Sequence, residues 1–153
     1  MGNICRSPIA QAVMHRQARD AHLNAVATDS AGLVSSHAGE APDPRGLAAL
    51  RRRGYEMPRH RARRIVAKDF VRQDLILAMD TSNLAALREQ CPQEFQYKLR
   101  LLLEFAAGPQ GREVPDPFYG DAAGFERVLD LCEAGVRGLV DALRSGRLPV
   151  PEA

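Results

Sequence analysis

Apolar residues near the end of the chain recur at steps of three and four: Phe125, Val128, Leu129, Cys132, Val136, Leu139, Val140 and Leu143. That spacing draws one stripe along a helix, so a long C-terminal helix is expected. Near the start, Ile9, Ala12 and Val13 share a face behind Ser7-Pro8. Ser at an N-cap followed by Pro at the first helical position predicts a helix from Pro8 to Asp20. Asp43-Pro44 repeats the signal, and Leu47, Ala48 and Leu50 carry a second helix to a stop at Gly54. A short turn is expected around Lys68 to Arg72. Leu75-Ile76-Leu77-Ala78-Met79 is a continuous apolar run, the pattern of a strand buried on both faces of a parallel sheet. Thr81 or Ser82 is placed to cap a following helix that ends near Cys91-Pro92. Two further segments lean to strand: Ala25 to Gly32, and Lys98 to Leu103 ahead of the Gly108-Pro109 loop. Strands alternating with helices predict an α/β layer fold with a mostly parallel sheet. The chain nevertheless opens on a loop and a helix, where a doubly wound fold begins with a strand.

Composition adds bounds. At 153 residues the chain is expected to form a single domain over 1–153. With 45% hydrophobic and 26% charged residues it can build a core, which excludes long disorder. No run approaches the length of a membrane span and the N-terminus lacks the pattern of a secretory signal, so a cytoplasmic protein without a membrane partner is expected. Cys5, Cys91 and Cys132 are too few and too scattered for a disulfide framework or a zinc site. A net charge of +2 calls for no nucleic-acid partner. Seven arginines cluster from Arg51 to Arg64; with 19 Arg against 2 Lys overall the cluster reads first as a solvated face, with steering of anionic substrates as the alternative.

Two segments carry candidate chemistry. Gly2-Asn3-Ile4-Cys5-Arg6-Ser7 opens a helix, so its backbone N–H groups and the helix terminus can cradle an anion, with Arg6 adding a planar fork matched to phosphate oxygens. Gly2 permits a sharp bend and Asn3 tolerates a left-handed backbone. Asp116-Pro117-Phe118-Tyr119 sets an acid beside aromatic rings, where it could protonate an aryl leaving group. Taken singly, the first also reads as a capping loop and the second as a structural turn.

Their order, together with Asp29-Ser30-Ala31-Gly32, Pro42-Asp43-Pro44-Arg45, His60-Arg61-Ala62-Arg63 and Asp74 to Asp80, resembles the low-molecular-weight protein tyrosine phosphatases across nearly the whole chain. That family's phosphate loop reads Cys, five residues, Arg, then Ser or Thr, and its acid loop most often reads Asp-Pro-Tyr-Tyr-Gly. The resemblance implies a three-layer sandwich on a mostly parallel four-stranded sheet, and hydrolysis of phosphotyrosine or small aryl phosphates through a cysteinyl phosphate, with no metal or cofactor. It implies Arg6 as the phosphate-binding arginine, the N–H groups of Gly2, Asn3, Ile4 and Cys5 as the cradle, and Ser7 as the hydroxyl that steadies the thiolate. Asn3 and Ser30 match the polar pair that shapes the loop. Asp116 looks like the general acid, and Phe118 and Tyr119 one wall of the aryl slot. The oligomeric state is not legible.

The departures concern the nucleophile and the slot. By the family's spacing the nucleophilic cysteine falls immediately before Met1, so it is absent here, as is the strand that leads to it. The expectation is that the polypeptide begins upstream and Met1 is internal; the alternative is a non-catalytic phosphate- or phosphopeptide-binding fragment. Cys5 adjoins Arg6 and would not face a phosphorus held by the same loop; in the family the matching cysteine is a disulfide partner of the nucleophile. Ser36 stands where many members carry an aromatic, with His37 as a partial substitute. A thiol-dependent arsenate reductase is the remaining alternative, but that chemistry needs further cysteines nearby, and Cys91 stands alone.

Overall fold

The computed structural model describes residues 2–108 and 111–148. Five helices, α1 (Arg6–Asp20), α2 (Pro44–Arg52), α3 (Ala67–Arg72), α4 (Thr81–Gln90) and α5 (Ala122–Arg144), surround two short strands, β1 (Ile76–Ala78) and β2 (Leu99–Leu101). Turns of 3-10 helix flank β2 at Gln93–Lys98 and Leu102–Glu104.

The strands pair in parallel, Ile76 with Leu99 and Ala78 with Leu101. Alternation along β1 sends its side chains into two cores. Leu77 and Met79 join Ile9, Val13, Phe125, Val128, Leu129 and Val136 of α1 and α5, while Ile76 and Ala78 join Phe70, Leu84, Leu87 and Leu99 between the sheet and α3–α4. The result is three layers with both sheet faces covered, which is why the β1 segment is apolar throughout.

The layered α/β class agrees with the sequence, but the sheet is smaller than four strands. Residues 25–31 run without regular structure, and the only ladder contact there among the described residues is a bridge between Gly32 and Arg64. The reason is spatial. An apolar cavity of about 560 Å³ separates Ala25–Leu33 from Leu75–Met79, floored by Met14, Val136, Leu139 and Leu143. Among the described residues β1 therefore pairs on one edge only, and residues 25–31 have no strand within reach.

Helix starts needed correction too. α1 begins at Arg6, with Cys5 at the N-cap and no side-chain cap, so Ser7 is not the capping residue. Pro8 then falls third in the helix, still within the first turn whose N–H groups lack intrahelical partners. α4 is capped by Asp80, whose carboxylate accepts from Asn83 N at 2.7 Å, rather than by Thr81 or Ser82. Asp43 caps α2 as expected, accepting from Arg45 N, and Gly54 follows the helix at φ +78°. Lys98 closes the preceding turn and Leu102–Glu104 continue as 3-10 helix, so the expected Lys98–Leu103 strand is confined to three residues. Of the Gly108-Pro109 loop, Pro109 lies outside the described residues.

Candidate active site

Asn3 sits at φ +65°, a left-handed backbone that Asn tolerates better than most residues. Every polar atom of its side chain is used: Nδ2 donates to Ser7 Oγ at 2.8 Å and to Ser30 Oγ at 2.9 Å, and Oδ1 accepts from Arg63 N at 3.1 Å. Its carbonyl accepts from His60 Nε2 at 3.0 Å, and Ser30 Oγ donates its own O–H to Gln11 Oε1. The bend is thus fixed by α1, the Asp29–Gly32 segment and the His60–Arg63 segment together. His60 went unrecognised as a site residue because its contact is to backbone, which a side-chain motif does not reveal.

Past this bend, Ile4 and Cys5 lead into α1. Among the described residues, no acceptor takes up the backbone N–H groups of Asn3, Ile4 or Cys5. Together with the free first turn of α1 they form a concave set of donors at the positive end of a helix dipole, an arrangement suited to an anion. Gly2 lines the same loop. A Cβ there would lie 2.7 Å from His37 Cδ2, so a larger residue would require that ring to shift.

Arg6 is 4% exposed. Its Nη1 donates to Asp80 Oδ2 at 2.7 Å and to the Val114 carbonyl at 2.8 Å; its Nη2 reaches Asn83 Oδ1 at 3.3 Å. Burial would raise the Asp80 carboxyl, but the hydrogen bonds from Arg6 and Asn83 N outweigh it and hold it below its ordinary value. Asp80 is the principal residue that sequence reasoning missed. It closes the quoted Asp74–Asp80 segment, and its signal was present as an acid directly ahead of a helix.

Asp116 stands across from Arg6, its Oδ2 4.0 Å from Arg6 Nη2 and about half exposed. Its Oδ1 accepts from Phe118 N at 3.1 Å. Phe118 meets the His37 ring at 5.6 Å between centroids and Tyr119 edge-on at 4.8 Å. His37 in turn donates Nδ1–H to Glu40 at 2.8 Å. Ser36 is exposed, so the ring facing Phe118 belongs to His37.

Cys5 points the other way. It is 7% exposed, with Sγ 4.0 Å from Asp43 Oδ2. Burial first, then the Asp43 and Asp116 carboxylates, push the thiol up to about 11, so it stays protonated at neutral pH. No group of three or more His, Cys, Asp or Glu side chains suited to a metal ion occurs among the described residues.

The structure therefore brings Gly2 through Ser7, Ser30, Asp116, Phe118 and Tyr119 to one end of the molecule. A free N–H cradle, a buried arginine, an acid facing it and an aromatic flank can together hold a phosphate ester and deliver a proton to its aryl oxygen.

A family model described as low molecular weight phosphotyrosine protein phosphatase matches residues 1–147. A low molecular weight protein-tyrosine-phosphatase of Streptomyces coelicolor is 44% identical over 147 residues, which span 94% of this chain and 89% of that protein. The human low molecular weight phosphotyrosine protein phosphatase is 36% identical over 143 residues, spanning 92% and 90% of the two chains. Among solved structures, a protein tyrosine phosphatase from Entamoeba histolytica with Hepes in its active site superposes with a TM-score of 0.92 at 38% identity, covering 97% of this chain and 95% of its own. Sequence and fold thus agree, and the chain belongs to the low molecular weight phosphotyrosine protein phosphatase family.

Proposed function

We propose that these residues form the phosphate-binding and proton-transfer apparatus of a cytoplasmic phosphatase that hydrolyses phosphotyrosine in proteins or small aryl phosphates. One observation carries the reading: the N–H groups ahead of α1, which have no acceptor among the described residues, adjoin the Arg6 guanidinium, and Asp116 stands 4.0 Å from Arg6. The names of the relatives point the same way.

In this reading the phosphoryl oxygens lie in the Gly2–Arg6 cradle, and Arg6 offers the N–H bonds that Asp80, Val114 and Asn83 leave over. A cysteine thiolate attacks phosphorus and the P–O bond to the aryl group breaks. Asp116, protonated, gives its proton to the departing phenolate oxygen. In the second half Asp116, now a carboxylate, takes a proton from the attacking water; the P–S bond breaks, phosphate leaves and the thiolate is restored. His37 and Phe118 flank the aryl ring, with Tyr119 beyond.

Cys5, held protonated and turned toward Asp43, does not serve as the nucleophile. The nucleophile belongs at the position immediately before Met1, on a strand lying along the open edge of β1. Two features support that placement: the cavity beside β1 and the sequence spacing to Arg6.

The test compares two polypeptides. With an apolar strand ending in Cys joined ahead of Met1, the protein is expected to hydrolyse phenyl phosphate, to be inhibited by vanadate and to ignore chelators. Asp116→Asn should cost about 10²–10³-fold on that substrate. The 153 residues by themselves should bind phosphate without turnover. Absence of hydrolysis in the extended protein, or an unchanged Asp116→Asn rate, overturns the reading.

A further inference from the structure

The acid loop, Asp116 to Gly120, has little regular structure of its own. Its internal backbone bond runs from Gly120 N to Pro117 O at 2.9 Å, and Asp116 itself is exposed. A general acid on such a segment would sample many positions unless something outside the loop held it.

That hold comes from α2. Arg45 Nη2 donates to the Phe118 carbonyl at 2.8 Å and Nη1 to the Gly120 carbonyl at 2.9 Å, so one planar guanidinium grips both sides of the turn. Two more of its donors go to Asp43: Nε to Oδ1 at 3.1 Å and Nη2 to Oδ2 at 2.9 Å. The guanidinium also lies over the fully buried Phe125 ring at 4.6 Å. Asp43 in turn reaches the cradle, donating its backbone N–H to the Ile4 carbonyl at 2.8 Å. A continuous chain of contacts therefore joins the phosphate loop to the acid loop: Ile4, Asp43, Arg45, then Phe118 and Gly120.

We propose that Arg45, oriented by Asp43, is a positioning residue that fixes the acid loop in register with the phosphate cradle and so sets the placement of Asp116. The inference rests on the phosphatase reading for its catalytic part, but the mechanical part stands on geometry alone. Arg suits the task because its fork can bond two carbonyls and a carboxylate at once; a lysine is a point charge that cannot.

The experiment pairs two measurements on Arg45→Lys and Arg45→Met. Amide hydrogen exchange on the 153-residue chain needs no turnover. Phe118 to Asp121 should exchange about 10-fold faster in both variants, while α5 amides from Val128 onward and the melting temperature of Arg45→Lys stay close to wild type. Leaving-group dependence is then read on the cysteine-bearing protein. Phenyl phosphate, which needs the proton, should slow about 10-fold, while an aryl phosphate with a strongly acidic phenol should change by less than about 2-fold. Unchanged exchange overturns the clamp. Faster exchange with equal losses on both substrates overturns its link to proton transfer. If even the wild-type extended protein turns over neither substrate, the phosphatase reading falls while the exchange result still judges the clamp.

Discussion

Asp80 holds Arg6 through one carboxylate oxygen and the start of α4 through the other, both at 2.7 Å. Replacing it with alanine frees a guanidinium that is almost wholly buried and removes a helix cap. Because Asp80 is a fifth exposed, water recovers part of the loss, and a destabilisation of about 2–3 kcal/mol is expected. Urea unfolding of Asp80→Ala checks it, and unchanged stability would rule out the pairing.

The same carboxylate dictates a pH dependence. Its folded pKa lies below the ordinary aspartate value, so the stability it contributes is complete above that value and is lost as pH falls through the folded pKa. Asp43 and Asp69, also held low, contribute with the same sign. The wild-type melting temperature should be level above about pH 5 and fall below about pH 4, and Asp80→Asn should show a shallower fall. Equal slopes would contradict the assignment.

Cys5 should resist alkylation. With a pKa of about 11, only about one thiol in a thousand is ionised at pH 8. Iodoacetamide should therefore modify it far more slowly than an ordinary exposed cysteine, and Asp43→Asn should speed the reaction by removing one of the charges that raise the pKa. Peptide mass mapping over time reads both rates; rapid labelling of Cys5 in the wild type would refute its assigned protonation.

Asn3→Ala removes three side-chain hydrogen bonds and puts a less tolerant residue at positive φ, so a loss of about 2–4 kcal/mol is expected. Asn3→Gly relieves only the backbone share. Calorimetric titration with phosphate should show weaker binding by both variants, and native-like binding by Asn3→Gly would show that the side chain does not shape the cradle.

His37 faces Phe118 across the slot, so His37→Ala should weaken phenylphosphonate binding about 3-fold while leaving inorganic phosphate within error. Equal weakening of both ligands would place His37 in loop integrity instead of aryl recognition.

What could be read from the sequence follows from how local each signal was. α2 and α5 were legible because a cap or a long apolar stripe lies within one segment. β1 was legible because burial on both faces leaves an uninterrupted apolar run. The starts of α1 and α4 shifted because Ser7 was claimed by Asn3 and because Asp80 made the stronger cap, contests decided by neighbours in space. Residues 25–31 have strand composition but lack a partner among the described residues, and pairing is not a property of one segment. In the site, Arg6, Asp116 and the loop from Gly2 to Ser7 were legible as chemistry. Asp80, His60 and Arg45 were not, because each acts by holding another group across 57 residues or more.

The cavity beside β1 also bears on how these molecules meet one another. A parallel strand with one edge open to an apolar hollow is a template for any extended segment that reaches it. Left unfilled, that hollow would let neighbouring chains associate there. Whatever occupies it guards solubility as well as architecture.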